Sequence, residues 1–264
     1  SFLTTLCLFL MATGFPAIAH ADDAKIKPVR ALLVLGGCCH DYNAQKDLLA
    51  KGISERAHVD VVIALDTDTS TGHLNPVYEN ANWADGFDVI IHDECSSDVK
   101  DLAIIDRILE PHRQGLPAVL LHCGMHSYRS EGYPKKVTPW FEFTGLQSTG
   151  HGRQTPINIG FTAPDHPITK GLADWTTVNE ELYNNIVVRD KTKVLARGSQ
   201  EPNDRPGFTE AAVVWTSEYG EKKTRVFSTT IGHNNDTVAD ARYLDLVTRG
   251  LLWACGKLDE SGAV

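Results

Sequence analysis

The chain has 264 residues, a formal net charge of −9 and a hydrophobic fraction of 42%. That charge excludes the basic face on which nucleic-acid binders depend, while the hydrophobic fraction is ordinary for a globular chain with a sizeable core. No long Pro/Ser-rich linker, low-complexity tract or internal repeat divides it.

Residues 2–18 are almost all apolar or small, with no charge before Asp22, and Ala19-His20-Ala21 supplies an A-x-A cleavage site ahead of Asp22-Asp23. Gly14 and Pro16 interrupt the run, which is too short for a comfortable membrane span. The expectation is a signal peptide over residues 1–21, a periplasmic or secreted protein with no stable membrane insertion, and one domain over residues 22–264. Beyond the leader stand Cys38, Cys39, Cys95, Cys123 and Cys255, an odd number that leaves at least one thiol free even after oxidation. The absence of a CxxC pair argues against a ribbon-type zinc site.

Residues 29–35 (VRALLVL) form a continuous apolar run ending in Gly36-Gly37, the pattern of a buried parallel strand. Residues 58–65, 87–92 and 117–122 repeat it, with helical patterns over residues 43–54 and 98–112. In the second of these helices, Leu102, Ile105, Ile108 and Leu109 share one face. Alternating strands and helices predict βαβ units and a flavodoxin-like, doubly wound three-layer α/β/α sandwich with a mainly parallel sheet. Extra strands are expected at residues 157–161, 181–188, 193–196, 212–216 and 225–230, with a turn over 218–224. A helix over residues 239–255 closes the chain, with Gly256 as its stop.

Ligands of open parallel sheets bind at the carboxyl ends of the strands. That rule selects residues 36–42, 92–95 and 122–129, where His, Cys, Asp and Glu accumulate.

Three segments, LLVLGGCCHDY, then PAVLLHCGMHSYR with WFEFTGLQSTGH and DHPITKGL…EELY, then AAVVWTSEYGEKKTRVFSTTIGHNN with RGLLWACGK, together resemble the ThuA-like (trehalose-utilisation) family. That family is similar in fold to class I glutamine amidotransferases, where a nucleophilic Cys sits on an elbow and a later strand ends in His-x-Glu. By this resemblance His122 takes the nucleophile's place, and Cys123 is expected to turn into the fold interior or to the elbow's far side. His233 keeps the histidine, and Asn235 stands where the Glu would be. The resemblance thus implies a protein that is not a working glutamine amidotransferase.

His40, His122 and His233 are the candidate catalytic residues, expected to converge on one pocket. His126, His151, Asp93, Glu94, Glu181, Tyr183 and Asn234 are candidate substrate contacts. His122 and His126 stand on one face if the elbow passes into a helix, a spacing that suits two metal ligands or two sugar contacts. Asp93 and Glu94 read either as an acid or base or as caps. Tyr183 reads either as a sugar-stacking ring or as core. His73, His92 and His112 read as structural, and His166 as part of a turn. Imidazoles beside carboxylates can run acid–base chemistry near neutral pH, or hold a divalent ion, zinc first, through His40, His122, His126 and His233.

The resemblance implies a hydrolase or lyase acting on a disaccharide or keto-sugar, a small-molecule carbohydrate. The alternatives are a non-catalytic sugar-binding module and a degenerate hydrolase that uses Cys123. Flavodoxin-like strand order places the first and third strands side by side, so Cys38 or Cys39 is expected to pair with Cys95. Nothing in the sequence sets an oligomeric state.

Overall fold

The structure, a computed structural model, describes residues 27–201 and 209–263; the expected leader lies outside the described residues. A nine-stranded sheet forms its centre, in the order β2-β1-β3-β4-β11-β10-β9-β6-β7. The strands are β1 (Val29–Gly37), β2 (Val59–Leu65), β3 (Val89–Cys95), β4 (Ala118–Leu121), β6 (Thr155–Phe161), β7 (Trp175–Glu180), β9 (Lys193–Ser199), β10 (Glu210–Tyr219) and β11 (Thr224–Thr229). A small ribbon pairs β5 (Leu146–Gln147) with β8 (Val187–Val188). From β2 to β11 the strands are parallel, and from β11 outward they pair antiparallel.

Helices cover both faces, which is why residues 31–35 of β1, 89–91 of β3 and 118–121 of β4 are unbroken apolar runs: all of them are buried. On one face lie α1 (Tyr42–Ser54) and α5 (Ala241–Ala254), packing Leu49, Ile53, Leu244, Val247 and Leu251 against Leu33, Ile91 and Phe227. On the other lie α2 (Leu102–Arg113) and α3 (Pro139–Thr144), with Ile105, Ile108, Trp140 and Phe143 against Leu32, Ile90 and Leu120. One short helix, α4 (Asn235–Val238), precedes α5. Among the described residues no helix is long and apolar enough to cross a membrane.

This is the expected doubly wound α/β sandwich, with β1 beside β3. Four details differ from the sequence reading. Helix α2 begins at Leu102 because Asp101, not Asp98, caps it, its carboxylate accepting the Ala103 N–H at 2.8 Å; Leu102 itself is 48% exposed. The expected turn over residues 218–224 tightens to residues 220–223, and α5 starts after its own cap, Asp240. The expected strand over residues 181–188 shrinks to β8 and an isolated bridge of Tyr183 with His151, while β7, which the sequence reading lacks, ends at Glu180. Its β-branched Thr176, Thr177 and Val178 suit a strand, and Glu181 leaves the ladder toward a group of histidines.

Candidate functional site

His40 follows β1, His122 follows β4 and His233 follows β11, three parallel strands whose carboxyl ends share one edge. His122 opens the elbow, a single 3-10 turn over His122–His126, with φ +37 in the left-handed region. The elbow packs so tightly on β3 that a methyl at position 124 would lie 2.4 Å from the His92 carbonyl, so only glycine fits there. The Trp140 indole N–H donates to the Gly124 carbonyl at 2.8 Å and pins the turn.

The three rings meet at this edge. Ring centroids lie 4.8 Å apart for His40–His122, 4.7 Å for His40–His233 and 5.5 Å for His122–His233. Glu181, buried, sits among the imidazoles: its carboxylate is 3.4 Å from His122 Nε2, 3.3 Å from His233 Nδ1 and 3.4 Å from His151 Nε2. The neighbouring Glu180 holds the loop itself, accepting the backbone N–H groups of His233 and Asn234 at 3.0 Å each.

Carbonyl acceptors settle the tautomers, since a carbonyl can only accept. His122 Nδ1 donates to the Thr230 carbonyl at 2.6 Å, and its Nε2 faces both the Tyr183 hydroxyl at 3.0 Å and Glu181 at 3.4 Å. His40 Nδ1 faces the His233 carbonyl at 3.5 Å, and Nε2 accepts the Cys123 thiol at 2.9 Å. His233 Nε2 receives the Gln154 amide at 3.0 Å, and the same amide reaches Glu181 at 2.9 Å. One amide nitrogen thus serves both His233 and Glu181, tying the two together.

Electrostatics then separates the rings. Burial, reinforced by His122 and His233, pushes the His40 imidazole down to about 2, so it is neutral near pH 7. His233 moves the other way: burial opposes its charge, but the hydrogen bond and attraction of Glu181 outweigh burial and raise it. Burial would lift the Glu181 carboxyl, yet its hydrogen bonds to His122 and His233 hold it far below the usual carboxylate range.

The zinc expectation fits this arrangement poorly. His40, His122 and His233 each offer a ring nitrogen, all within 4.8 Å of one another. Around one zinc ion, bonds of about 2.1 Å put neighbouring nitrogens only about 3.4 Å apart. A nitrogen of each ring already faces a protein group: the Cys123 thiol, the Tyr183 hydroxyl or the Gln154 amide. The rings would have to move to take a metal.

The remaining candidates separate. His126 does not join the trio, because the 3-10 turn carries it away from His122; its Nε2 meets Ser148 Oγ at 2.8 Å and its ring stacks on Tyr183 at 3.9 Å. Tyr183 is only 1% exposed, so it gives its hydroxyl, not an open stacking face, to the site. His151 borders the site through Glu181. Asn234 is the residue before α4, and its side chain bonds the Asn179 carbonyl.

Asp93 and Glu94 are not caps but part of buried β3. Burial raises the Asp93 carboxyl well above its usual range. Glu94 points to the α2 face and bonds His92, Tyr78 and Tyr128. His73 is hydrogen-bonded to Asp66 and Ser96, and His112 to His92 and the Leu116 carbonyl, in keeping with structural roles.

Cys123 turns into the fold interior, one of the two placements expected, but not away from the histidines. It is buried, but its thiol abuts His40 at 2.9 Å and the Tyr183 hydroxyl at 3.7 Å, because the elbow turns as a 3-10 rather than an α-helix. The Cys95 hydrogen bond and burial push that thiol well up, so it stays protonated. The expected pairing with Cys95 is replaced by a disulfide between Cys38 and Cys39 themselves. Sequence reasoning missed Gln154 and Glu180. Gln154 carried no signal, but two adjacent acids at a strand end, Glu180-Glu181, did.

By fold, the chain is similar to a protein described as ThuA-like from Parabacteroides merdae, at 19% identity over 88% of this chain and 92% of that one, with a TM-score of 0.66. It also matches a GMP synthase component from Thermoplasma acidophilum (12% identity, 85% and 94% covered, TM-score 0.47). A third match is the glutaminase domain of Trypanosoma brucei CTPS with bound acivicin (11% identity, 87% and 94% covered, TM-score 0.42). No curated protein matches the sequence. The model of the ThuA family, described as trehalose utilisation, matches residues 30–254, nearly the whole described chain, and the protein belongs to that family.

Proposed function

We propose that this protein is a hydrolase or lyase that acts on a disaccharide or keto-sugar by histidine acid–base chemistry, without a cysteine nucleophile or a resident metal. Family membership supports a role in trehalose utilisation. The observation that carries the chemistry is the opposed protonation of two touching rings, His40 neutral and His233 favouring the charged form. Groups whose environments push their pKa values apart are suited to be the base and the acid of one reaction.

In a glycoside oxidised two carbons from the glycosidic carbon, the ketone acidifies the C–H between them. His40 Nε2, released from the Cys123 thiol, takes that proton, the glycosidic C–O bond breaks as a C=C bond forms, and His233 gives its proton to the leaving oxygen, which departs as an alcohol. Water added across the C=C bond then completes hydrolysis; release before that step makes the enzyme a lyase. His122, its tautomer fixed by the Thr230 carbonyl, and Tyr183 hold the sugar oxygens, while Glu181 keeps His233 charged. A protonated Cys123 thiol counts against the covalent route. A non-catalytic sugar-binding module needs an open aromatic face, and Tyr183 has none.

Export is part of this proposal, supported by the A-x-A segment; N-terminal sequencing of secreted protein should find a start near Asp22. The decisive assay incubates purified protein with oxidised and unoxidised disaccharides and follows release of the second sugar. Binding of these sugars with no product from any of them would leave only the module reading.

A further inference from the structure

Of the five cysteines at positions 38, 39, 95, 123 and 255, three gather at the mouth of the β1–β3 edge without serving the chemistry above. The register explains why. Gly37 pairs with Cys95 across the parallel β1–β3 ladder, and the strands close so tightly that a methyl at position 37 would lie 2.6 Å from the Cys95 carbonyl. The next residue therefore delivers its sulfur to its neighbour. The Cys95 thiol donates to Cys38 Sγ at 3.5 Å, since the disulfide sulfur has no proton to give.

Cys39 follows with φ +83, a left-handed conformation uncommon outside glycine, asparagine and aspartate. It is exposed, Cys38 is half-buried and Cys95 is 5% exposed, so the group runs from solvent inward. The three sulfurs all lie within 4.8 Å of one another. Metal–thiolate bonds of about 2.3 Å place three sulfurs about 4 Å apart around one trigonal ion; Cys38 and Cys95, 3.5 Å apart, are already near that spacing, and the bonded Cys38 and Cys39 sulfurs must separate to it on reduction. Thiolates select soft ions such as Cu(I) over hard ones, and among the described residues no carboxylate or imidazole completes this set.

The geometry points to a soft-metal site: with the Cys38–Cys39 disulfide reduced, Cys38, Cys39 and Cys95 bind one Cu(I)-like ion through three sulfurs. The balance is simple. A dithiol reductant gives two electrons and two protons to the disulfide and becomes a disulfide itself. The ion then displaces three protons from the three thiols. In the oxidised form two of the three ligands are tied to each other, so the site exists only under reducing conditions. Because His40 is the residue after Cys39, occupancy also anchors the loop that carries the base.

The test titrates the whole protein anaerobically with Cu(I) held by bathocuproine disulfonate, after reduction by dithiothreitol and its removal. The reduced chain should draw one Cu(I) from the competitor, and the oxidised chain none. Cys95→Ser and Cys39→Ser should each abolish this uptake. Cys255→Ser, whose sulfur lies near the Asp88 carbonyl ahead of β3, should leave it intact. Cys39 is exposed, so its variant remains informative even if Cys95→Ser fails to fold by circular dichroism. No uptake by the reduced chain, or full uptake by either Cys39→Ser or a folded Cys95→Ser, overturns the site.

Discussion

Two histidine–glutamate groups sit on opposite faces of the same sheet, built from the same residue types, and they do opposite things. His40, His122 and His233 surround Glu181 at the carboxyl edge, with His40 and His233 partly open to solvent. His92, His112 and Glu94 lie beneath α2 and α3, each 0% exposed. In the sealed group His112 gives its Nδ1 proton to the Leu116 carbonyl at 2.7 Å, so its Nε2 must accept from His92 at 3.1 Å. His92 Nδ1 meets Glu94 at 3.0 Å on the other side of the ring. Tyr78 and Tyr128 donate to the same Glu94 oxygen at 2.7 and 2.9 Å. Burial pushes the His112 ring down to about 3, and Trp140 and Phe143 pack over His92. A sealed group, with all these bonds gathered on one Glu94 oxygen and no path to solvent, has nothing to exchange with a substrate. Access and opposed protonation, not composition, separate a reactive site from a brace.

That contrast can be broken by mutation, and the largest effect should fall on activity. Replacing His40 or His233 by Ala should lower kcat by about 10²–10⁴-fold, the usual worth of a positioned acid or base, with the unfolding midpoint nearly unchanged. Glu94→Ala should do the reverse. Deleting Glu94 leaves the buried donors of Tyr78 and Tyr128 unpaired, at about 1–3 kcal/mol of stability each, read as a lowered denaturant midpoint, while turnover of the folded fraction survives. If Glu94→Ala abolished turnover at unchanged stability, the brace would belong to the site. The smallest effect is expected from metal removal: dialysis against a chelator should leave turnover of the oxidised protein unchanged, and lost activity restored by zinc would reverse that reading.

Much of this contrast is legible in the sequence. The runs VRALLVL and PAVLLH announce buried parallel strands, and the strand-end rule brings His40, His122 and His233 to one edge, as the ring distances show. Glu181 is among the expected contacts, but its place at the hub depends on β7 ending one residue earlier, a boundary that β-propensity alone does not fix. Glu94 reads as a cap or acid because a charged residue inside a fully buried strand violates the usual pattern, and its partners come from 16 and 34 residues away. Cys123 is expected in the fold interior or on the far side, and it lies in the interior; its contact with His40 escapes the reading because a helical elbow and a 3-10 elbow differ by enough rotation to move one side chain between faces. The Cys38–Cys39 bond escapes the sequence because strand adjacency favours a cross-strand partner.

The most direct test of the central claim is the pH dependence of kcat/KM on the best keto-disaccharide, for the wild type and for Glu181→Gln. His233 acts while protonated and its folded pKa is raised, so activity should be full below pH 6.5 and fall only as pH rises through a higher value. His40 acts while neutral and is held near 2, so no acid limb should appear between pH 5 and neutrality. Removing the Glu181 charge should move the basic limb down toward 6.5. A basic limb that stays in place in Glu181→Gln, or an acid limb near 6 in the wild type, would contradict the assignment of His233 as acid and His40 as base.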